Sequence, residues 1–256
     1  VALNVDGIER RRKKWNWLAK SWYLISEFLA TTLPTAIVSD AETIERYYME
    51  RFKKRSTFIP YGADLELART DEAVRRLGLE KRRYFLYVSR LEPENHALEV
   101  REAFESVETD LKLAIVGDAP YATEYIGKVR DTRDPRVVLP GAIYGNGYRE
   151  LGTFCFAYIQ ATEVGGTHPA LLEAMGRGAL VLYRNNPENA EVCGSAGIAF
   201  EGQEDLADKL RFALAMPEEE RDGYRRRAAE RVRERYSWDA VTSQYERLFA
   251  SIAQRR

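Results

Sequence analysis

Gly165, Gly166, Thr167 and His168, with Pro169 next and Glu173 four residues further on, are the residues of this chain whose types and spacing best suit chemistry. They follow an apolar run, Phe154 to Ile159, that reads as the end of a buried strand. Pro169 suits a first helical turn, where a missing N–H costs nothing. Leu171, Leu172 and Met175 then give an apolar face, and Gly178 a stop. A strand that passes through glycines into a helix start aims free N–H groups and a positive dipole end at one point, a setting for phosphate. Glu173, one turn inside, could accept hydrogen bonds from sugar hydroxyls beside that phosphate. Phosphate and hydroxyls together suggest a nucleotide. Taken alone, the plainer reading is favoured, in which the glycines are a loop and Glu173 pairs with Arg177 for a few tenths of a kcal/mol.

What positions these residues is a series of strand and helix signals. From about residue 65, "YFLYVS", "LKLAIVG", "RVVLPG", "FCFAYIQ", "ALVLYR" and "GIAFEG" alternate with helical stretches, including 203–215 and 217–235. Near-continuous apolar strands in β/α repeats argue for an α/β fold with a parallel sheet covered on both faces. In such sheets ligands gather at the carboxyl ends of the strands. Those ends carry Arg90, Gly117-Asp118, Gly141 and Tyr144, the glycine turn, and Asn185-Asn186. Arg90 suits phosphate through its fixed guanidinium geometry, although spacing alone favours an exposed pair with Glu92 or Glu94.

Composition narrows the classes. The chain has 256 residues, 45% hydrophobic and 31% charged, with net charge −1. That is material for a sizeable core and gives no basic field for nucleic acid. Cys155 and Cys193 show no metal or redox spacing, so buried thiols in a reducing compartment are expected. His96 and His168 are the two histidines, and no His/Asp/Glu cluster has ligand spacing, so no metal site is expected. No Ser/His/Asp arrangement supports an acyl-enzyme. No apolar run is long enough for a bilayer span.

The run "VGGTHPALLEAMGRG" resembles the donor-site signature of the retaining glycosyltransferases of family 4, and is similar to that of a bacterial polysaccharide subgroup that includes rhamnosyltransferases. The resemblance extends over nearly the whole chain and implies the two-domain GT-B fold. Residues 1–64 would close the N-terminal, acceptor-side domain, whose first half is absent. Residues 65–236 would be the complete donor domain, and 237–256 a last helix crossing back. The resemblance makes Glu173 the ribose-binding glutamate and Glu163 the sugar-contacting one, with nine residues between them where the family has seven. "SRLEPENH" is similar to the first donor loop, with Arg90 on the diphosphate and Asn95 where the family has lysine. Gly117 and Asp118 could face base or ribose, Tyr144 could stack on the base, Gly165, Gly166 and Thr167 would cradle phosphate, and His168 reads equally as a helix-entry residue or as a ligand for the sugar or phosphate. It implies transfer of a hexosyl or deoxyhexosyl unit from a nucleoside diphosphate sugar to a glycan or lipid-linked acceptor, with retention and without metal or other cofactor. The rival readings are a module that binds nucleotide-sugar without transferring it and a GT-B-like epimerase.

Residues 1–64 read as a strand end, a helix from Glu9 to Thr31 with Leu18, Trp22, Ile25 and Leu29 at helical spacing, the strand "TAIVSD", a helix begun near Asp40, and a strand and turn. The basic run Arg10 to Lys14, with Trp15, Trp17 and Trp22, has two readings held about even. One is a peripheral contact from the cytoplasm with anionic headgroups at the inner face of a membrane. The other is a solvated helix face with its tryptophans in the core. The strands at the start would lack neighbours, so a dimer or a missing N-terminal segment is also expected.

Overall fold

A computed structural model describes residues 1–12 and 15–254, and two parallel sheets organise them. The first is built from β1 (Ala2–Val5), α1 (Trp17–Thr32), β2 (Ala36–Ser39), α2 (Glu42–Phe52) and β3 (Thr57–Phe58), in strand order β1-β2-β3. After α3 (Glu72–Arg76) the second begins: β4 (Tyr84–Val88), α4 (Ala97–Glu105), β5 (Lys112–Val116), α5 (Thr123–Arg130), β6 (Val137–Gly141), α6 (Gly145–Phe154), β7 (Ala157–Gln160), α7 (Pro169–Gly176), β8 (Leu180–Arg184), α8 (Pro187–Cys193) and β9 (Ile198–Phe200). Its order is β6-β5-β4-β7-β8-β9, all parallel. The chain closes with α9 (Gln203–Ala215), α10 (Glu218–Arg235) and α11 (Trp238–Ala253). This is the expected α/β architecture, with the strand order reversing direction between β4 and β7.

The period of two along each strand explains the layering. Phe85, Tyr87, Leu113, Ile115, Ile159 and Leu182 face one side, where Val100 and Phe104 of α4 and Leu206 and Leu210 of α9 cover them. Tyr84, Leu86, Val116, Tyr158 and Val181 face the other, against Leu171, Leu172 and Met175 of α7 and Val232 of α10. Both faces are dry, as the apolar strands required. Helix α11 leaves this domain and seats Val241 against Val38 and Ile59 of the first sheet.

The first sheet departs from expectation. The helix placed over Glu9–Thr31 is a 3₁₀ turn at Glu9–Arg11 and then α1, started at Trp17 because the Asn16 side chain accepts from Ala19 N–H at 2.9 Å. Lys13 and Lys14 lie outside the described residues. The orientation of α1 is the larger correction. Its inward face buries Glu27 and Thr31. Glu27 accepts from the Tyr47 hydroxyl at 2.5 Å and lies 3.4 Å from Arg10 Nε. Trp17, Leu18, Trp22, Ile25, Phe28, Leu29 and Leu33 point outward, between 41% and 76% exposed. Of the two readings held about even for the tryptophans, the one that put them in the core does not hold for Trp17 and Trp22, which are on the surface, while Trp15 packs on Tyr23 and donates to Glu9.

Candidate functional site

The carboxyl ends of both sheets meet across a cleft. There Asp6, Arg12 and Tyr61 from the first half face Ser89, Arg90, Asn95, Thr162 and the 164–169 turn from the second, around a cavity of about 250 Å³. Arg90 stands where the sequence placed it, half exposed and 3.6 Å from Glu92. Asn95 is buried and acts as a strut: its Nδ2 donates to the Arg90 carbonyl at 2.7 Å, and its own carbonyl accepts from Tyr87 at 2.6 Å. It shapes the loop without adding charge. The second guanidinium comes from Arg12, which sequence reasoning had grouped with the basic run. Its side chain is largely buried, bonded to Glu9 at 2.6 Å and lying 3.7–3.8 Å from the buried carboxylates of Glu92 and Glu94. The signal for its place in the cleft was available only in three dimensions, since some eighty residues separate it from Glu92 and Glu94.

The turn before α7 is tighter than a bare phosphate cradle. Thr167 N–H donates to Asp40 Oδ2 at 3.0 Å, and its hydroxyl donates to the Asp40 carbonyl. A Cβ on Gly166 would lie 2.1 Å from that carboxylate, and one on Gly165 would lie 2.4 Å from the His168 ring. Both glycines are thus required by packing within the chain. The Leu171 and Leu172 N–H groups close on the His168 carbonyl. The helix start therefore offers fewer free donors than expected, and one is held by a carboxylate of the chain itself. Asp40 is fully buried, and burial, reinforced by Asp6, raises its pKa to about 7. His168 goes the other way: burial, then Arg12, lowers it to about 4, so the imidazole is neutral at pH 7. Its Nε2 is buried with no hydrogen-bond partner, and the residue lines the cavity.

The remaining expected residues are dispersed around this centre. Glu163 lines a neighbouring cavity of about 270 Å³ with Ile8, Ile44, Asn186 and Glu188. Its carboxylate meets His96 Nε2 at 3.1 Å, while His96 Nδ1 meets Glu99 at 2.9 Å. Glu173 sits on α7 with Arg177 at 3.5 Å, the pairing that spacing alone favoured, and it also bonds Tyr148. Gly117 holds φ +149°, and a Cβ there would lie 1.8 Å from the Ser89 carbonyl, so its role is to let two strand ends touch. Asp118 accepts from Ala119 N–H, and Tyr144 is exposed at the start of α6. Glu173, Gly117, Asp118 and Tyr144 are not among the residues around the first cavity. Among the described residues no group of three His, Cys, Asp or Glu could hold a metal, and no helix is long and apolar enough to cross a membrane.

Comparison with known proteins agrees with this fold. The glycosyl transferases group 1 family matches residues 69–234, and a domain of unknown function, DUF1972, matches residues 1–64. No curated protein matches. Among solved structures, Anabaena Alr3699/HepE in complex with UDP-glucose superposes with a TM-score of 0.83 at 15% identity, over 98% of this chain and 72% of that one. A glycosyltransferase from Rickettsia africae ESF-5 gives 0.78 at 14%, over 90% and 67%. Sucrose-phosphate synthase from Thermosynechococcus elongatus gives 0.78 at 17%, over 100% and 68%. The chain thus spans about two thirds of the length of these proteins. With the paired parallel sheets of a GT-B fold and a family match over most of its length, the chain belongs to the group 1 glycosyl transferases.

Proposed function

We propose that this chain binds a nucleoside diphosphate sugar in the cleft and takes part in moving its hexosyl or deoxyhexosyl unit to a glycan or lipid-linked acceptor, with retention and without a metal ion. The observation that carries the reading is the convergence of Arg90, Arg12 and the neutral, unpartnered His168 Nε2 on one cavity at the ends of both sheets. The anomeric carbon–phosphate oxygen bond breaks as the acceptor oxygen bonds to that carbon, and the acceptor's proton passes to the departing phosphate. Arg90 supplies fixed positive charge where negative charge grows. His168 offers one hydrogen bond to a sugar hydroxyl or phosphate oxygen. Glu163, held by His96 at the adjoining cavity, contacts the sugar, and Glu173, Gly117, Asp118 and Tyr144 meet the nucleoside. Complexes of HepE with UDP, and with UDP and glucose, lend support to a uridine nucleotide as the first donor to try.

Calorimetric titration of the chain with UDP and UDP-glucose, with and without a chelator, tests this. Arg90→Ala should weaken binding by about 1.5–3 kcal/mol, roughly ten- to a hundredfold, with chelation making no difference. Unchanged affinity in the variant would remove the cleft as the nucleotide site, and a tenfold loss on chelation would reveal a metal.

A further inference from the structure

We propose that His96 is a positioning residue, which pins the Glu163 carboxylate, and with it the turn before α7, at the sugar end of the cleft. The proposal deepens the reading above and rests on it, since it takes Glu163 as the group that meets the transferred sugar. The first observation is the pair of partners on the ring. His96 Nε2 lies 3.1 Å from Glu163 Oε2, and Nδ1 lies 2.9 Å from Glu99 Oε2. Glu99 accepts from Arg184 with its other oxygen, and Arg184 Nε donates to the Ala161 carbonyl at 3.0 Å. The series of side chains therefore starts at the end of β8, crosses α4 and ends on the turn that carries Glu163. Carboxylates only accept, so His96 holds both while each ring nitrogen carries a proton.

The second observation is how exposure changes along this series. The side chains of Arg184, His96 and Glu99 are 14–21% exposed, whereas that of Glu163 is 43% exposed. Glu163 lines the second cavity beside Val164 and Gly165, which also line the first. An ion pair open to water contributes little to stability. What His96 sets is the direction of a long side chain at the boundary of the two cavities. A carboxylate accepts at both oxygens, so Glu163 can hold His96 and a sugar hydroxyl at once. The third observation is the backbone. His96 has φ +59°, a left-handed conformation that non-glycine residues adopt rarely and that gathers at functional sites. It stands between the 3₁₀ turn Pro93–Asn95 and the start of α4. Beside it, the Glu94 carbonyl accepts the Glu163 N–H at 3.0 Å. The loop that carries Arg90 and the turn that carries Glu163 are thus joined twice, once through backbone and once through His96. Diphosphate and sugar contacts are thereby held at one separation, as orientation of a donor requires.

The test uses His96→Asn, because asparagine also accepts a left-handed backbone but is too short to span two carboxylates. Hydrogen–deuterium exchange of the chain without ligand reads the positioning. Exchange over residues 161–166 should speed at least about fivefold, while β4 and β7 keep their wild-type rates and so show that the variant is folded. Calorimetric titration reads the sugar, through the ratio of UDP-glucose to UDP affinity, which cancels any change common to both ligands. His96→Asn and Glu163→Ala should each lower that ratio about tenfold, the loss of one charge-assisted hydrogen bond. The double variant should lower it no further, because the two residues act as a unit. Unchanged exchange at 161–166 in His96→Asn would overturn the proposal and leave the nucleotide reading intact. So would faster exchange with an unchanged ratio, losses that add in the double variant, or a wild type that binds UDP and UDP-glucose alike. A wild type that binds neither ligand would overturn the nucleotide reading itself, and the proposal with it.

Discussion

Arg12 and Arg90 both reach the cleft, and their surroundings set them different tasks. Arg90 is half exposed with Glu92 as a distant partner, so its guanidinium remains available for phosphate. Arg12 is enclosed by Glu9, Glu92 and Glu94, and without it the latter two would be buried carboxylates with much of their counter-charge gone. Removing one member of a buried group costs far more than removing an exposed ion. Arg12→Ala is therefore expected to lower stability by up to about 3 kcal/mol, visible as a lowered denaturant midpoint. Arg90→Ala should leave that midpoint in place and change nucleotide affinity alone. Equal midpoints for the two variants would mean that Arg12 is not holding the loop. His168 is a third case. His168→Phe keeps a planar ring, slightly enlarged, and removes Nε2, so it should weaken nucleotide-sugar binding by more than any change in stability accounts for, which paired titration and melting will read.

At the scale of elements, the loops after β4 and β5 show what a sequence discloses and what it hides. Gly117 was legible as a special position because a glycine at the end of an apolar strand stands out. Its reason was not, since the Ser89 carbonyl that excludes a Cβ is twenty-eight residues away. Gly117→Ala should cost about 3 kcal/mol or more, as strain at a positive φ combined with a backbone clash. A chemical denaturation curve within 1 kcal/mol of wild type would refute the close approach. The strands and helices of the second domain followed from period and apolar run length, because burial on both faces leaves few other patterns. Arg90 followed from its place after a strand. Asp40 could not be found this way. "TAIVSD" marks it as a strand end, but its contact with Thr167 joins residues 127 positions apart. The outward turn of α1 was hidden for a different reason. Helical spacing locates an apolar stripe without saying which side is the core, and Glu27 settles that only through Tyr47 and Arg10.

Across the whole molecule, the two halves exchange carboxylates. Asp40 reaches the start of α7, and Glu191 of α8 accepts the Glu42 N–H at the start of α2 with both oxygens at 3.0 Å. Burial raises the pKa of both, Asp40 from 3.8 to about 7, and Asp6 and Glu191 are the carboxylates that add to the rise at Asp40. Raised carboxylates work against the folded, closed state when ionised. Below about pH 4 both states are protonated and the group is neutral to stability. As pH climbs to about 7 the unfolded chain ionises first, and stability falls by an amount on the order of 4 kcal/mol at most. Asp40→Asn keeps an acceptor for the Thr167 N–H and cannot ionise. Its stability should exceed that of wild type above pH 7 and converge with it near pH 4, measured by urea unfolding across that range. Parallel pH profiles would show that Asp40 does not titrate between the two states.

The four tryptophans of the chain, Trp15, Trp17, Trp22 and Trp238, all lie outside residues 69–234, and three of them are exposed. In optical terms, the tryptophan emission of the protein reports on the regions outside the donor domain, above all the outer side of α1. Trp17 and Trp22 already stand in water, so their emission lies at long wavelength, and a nucleotide filling the cleft will leave that part of the spectrum where it was.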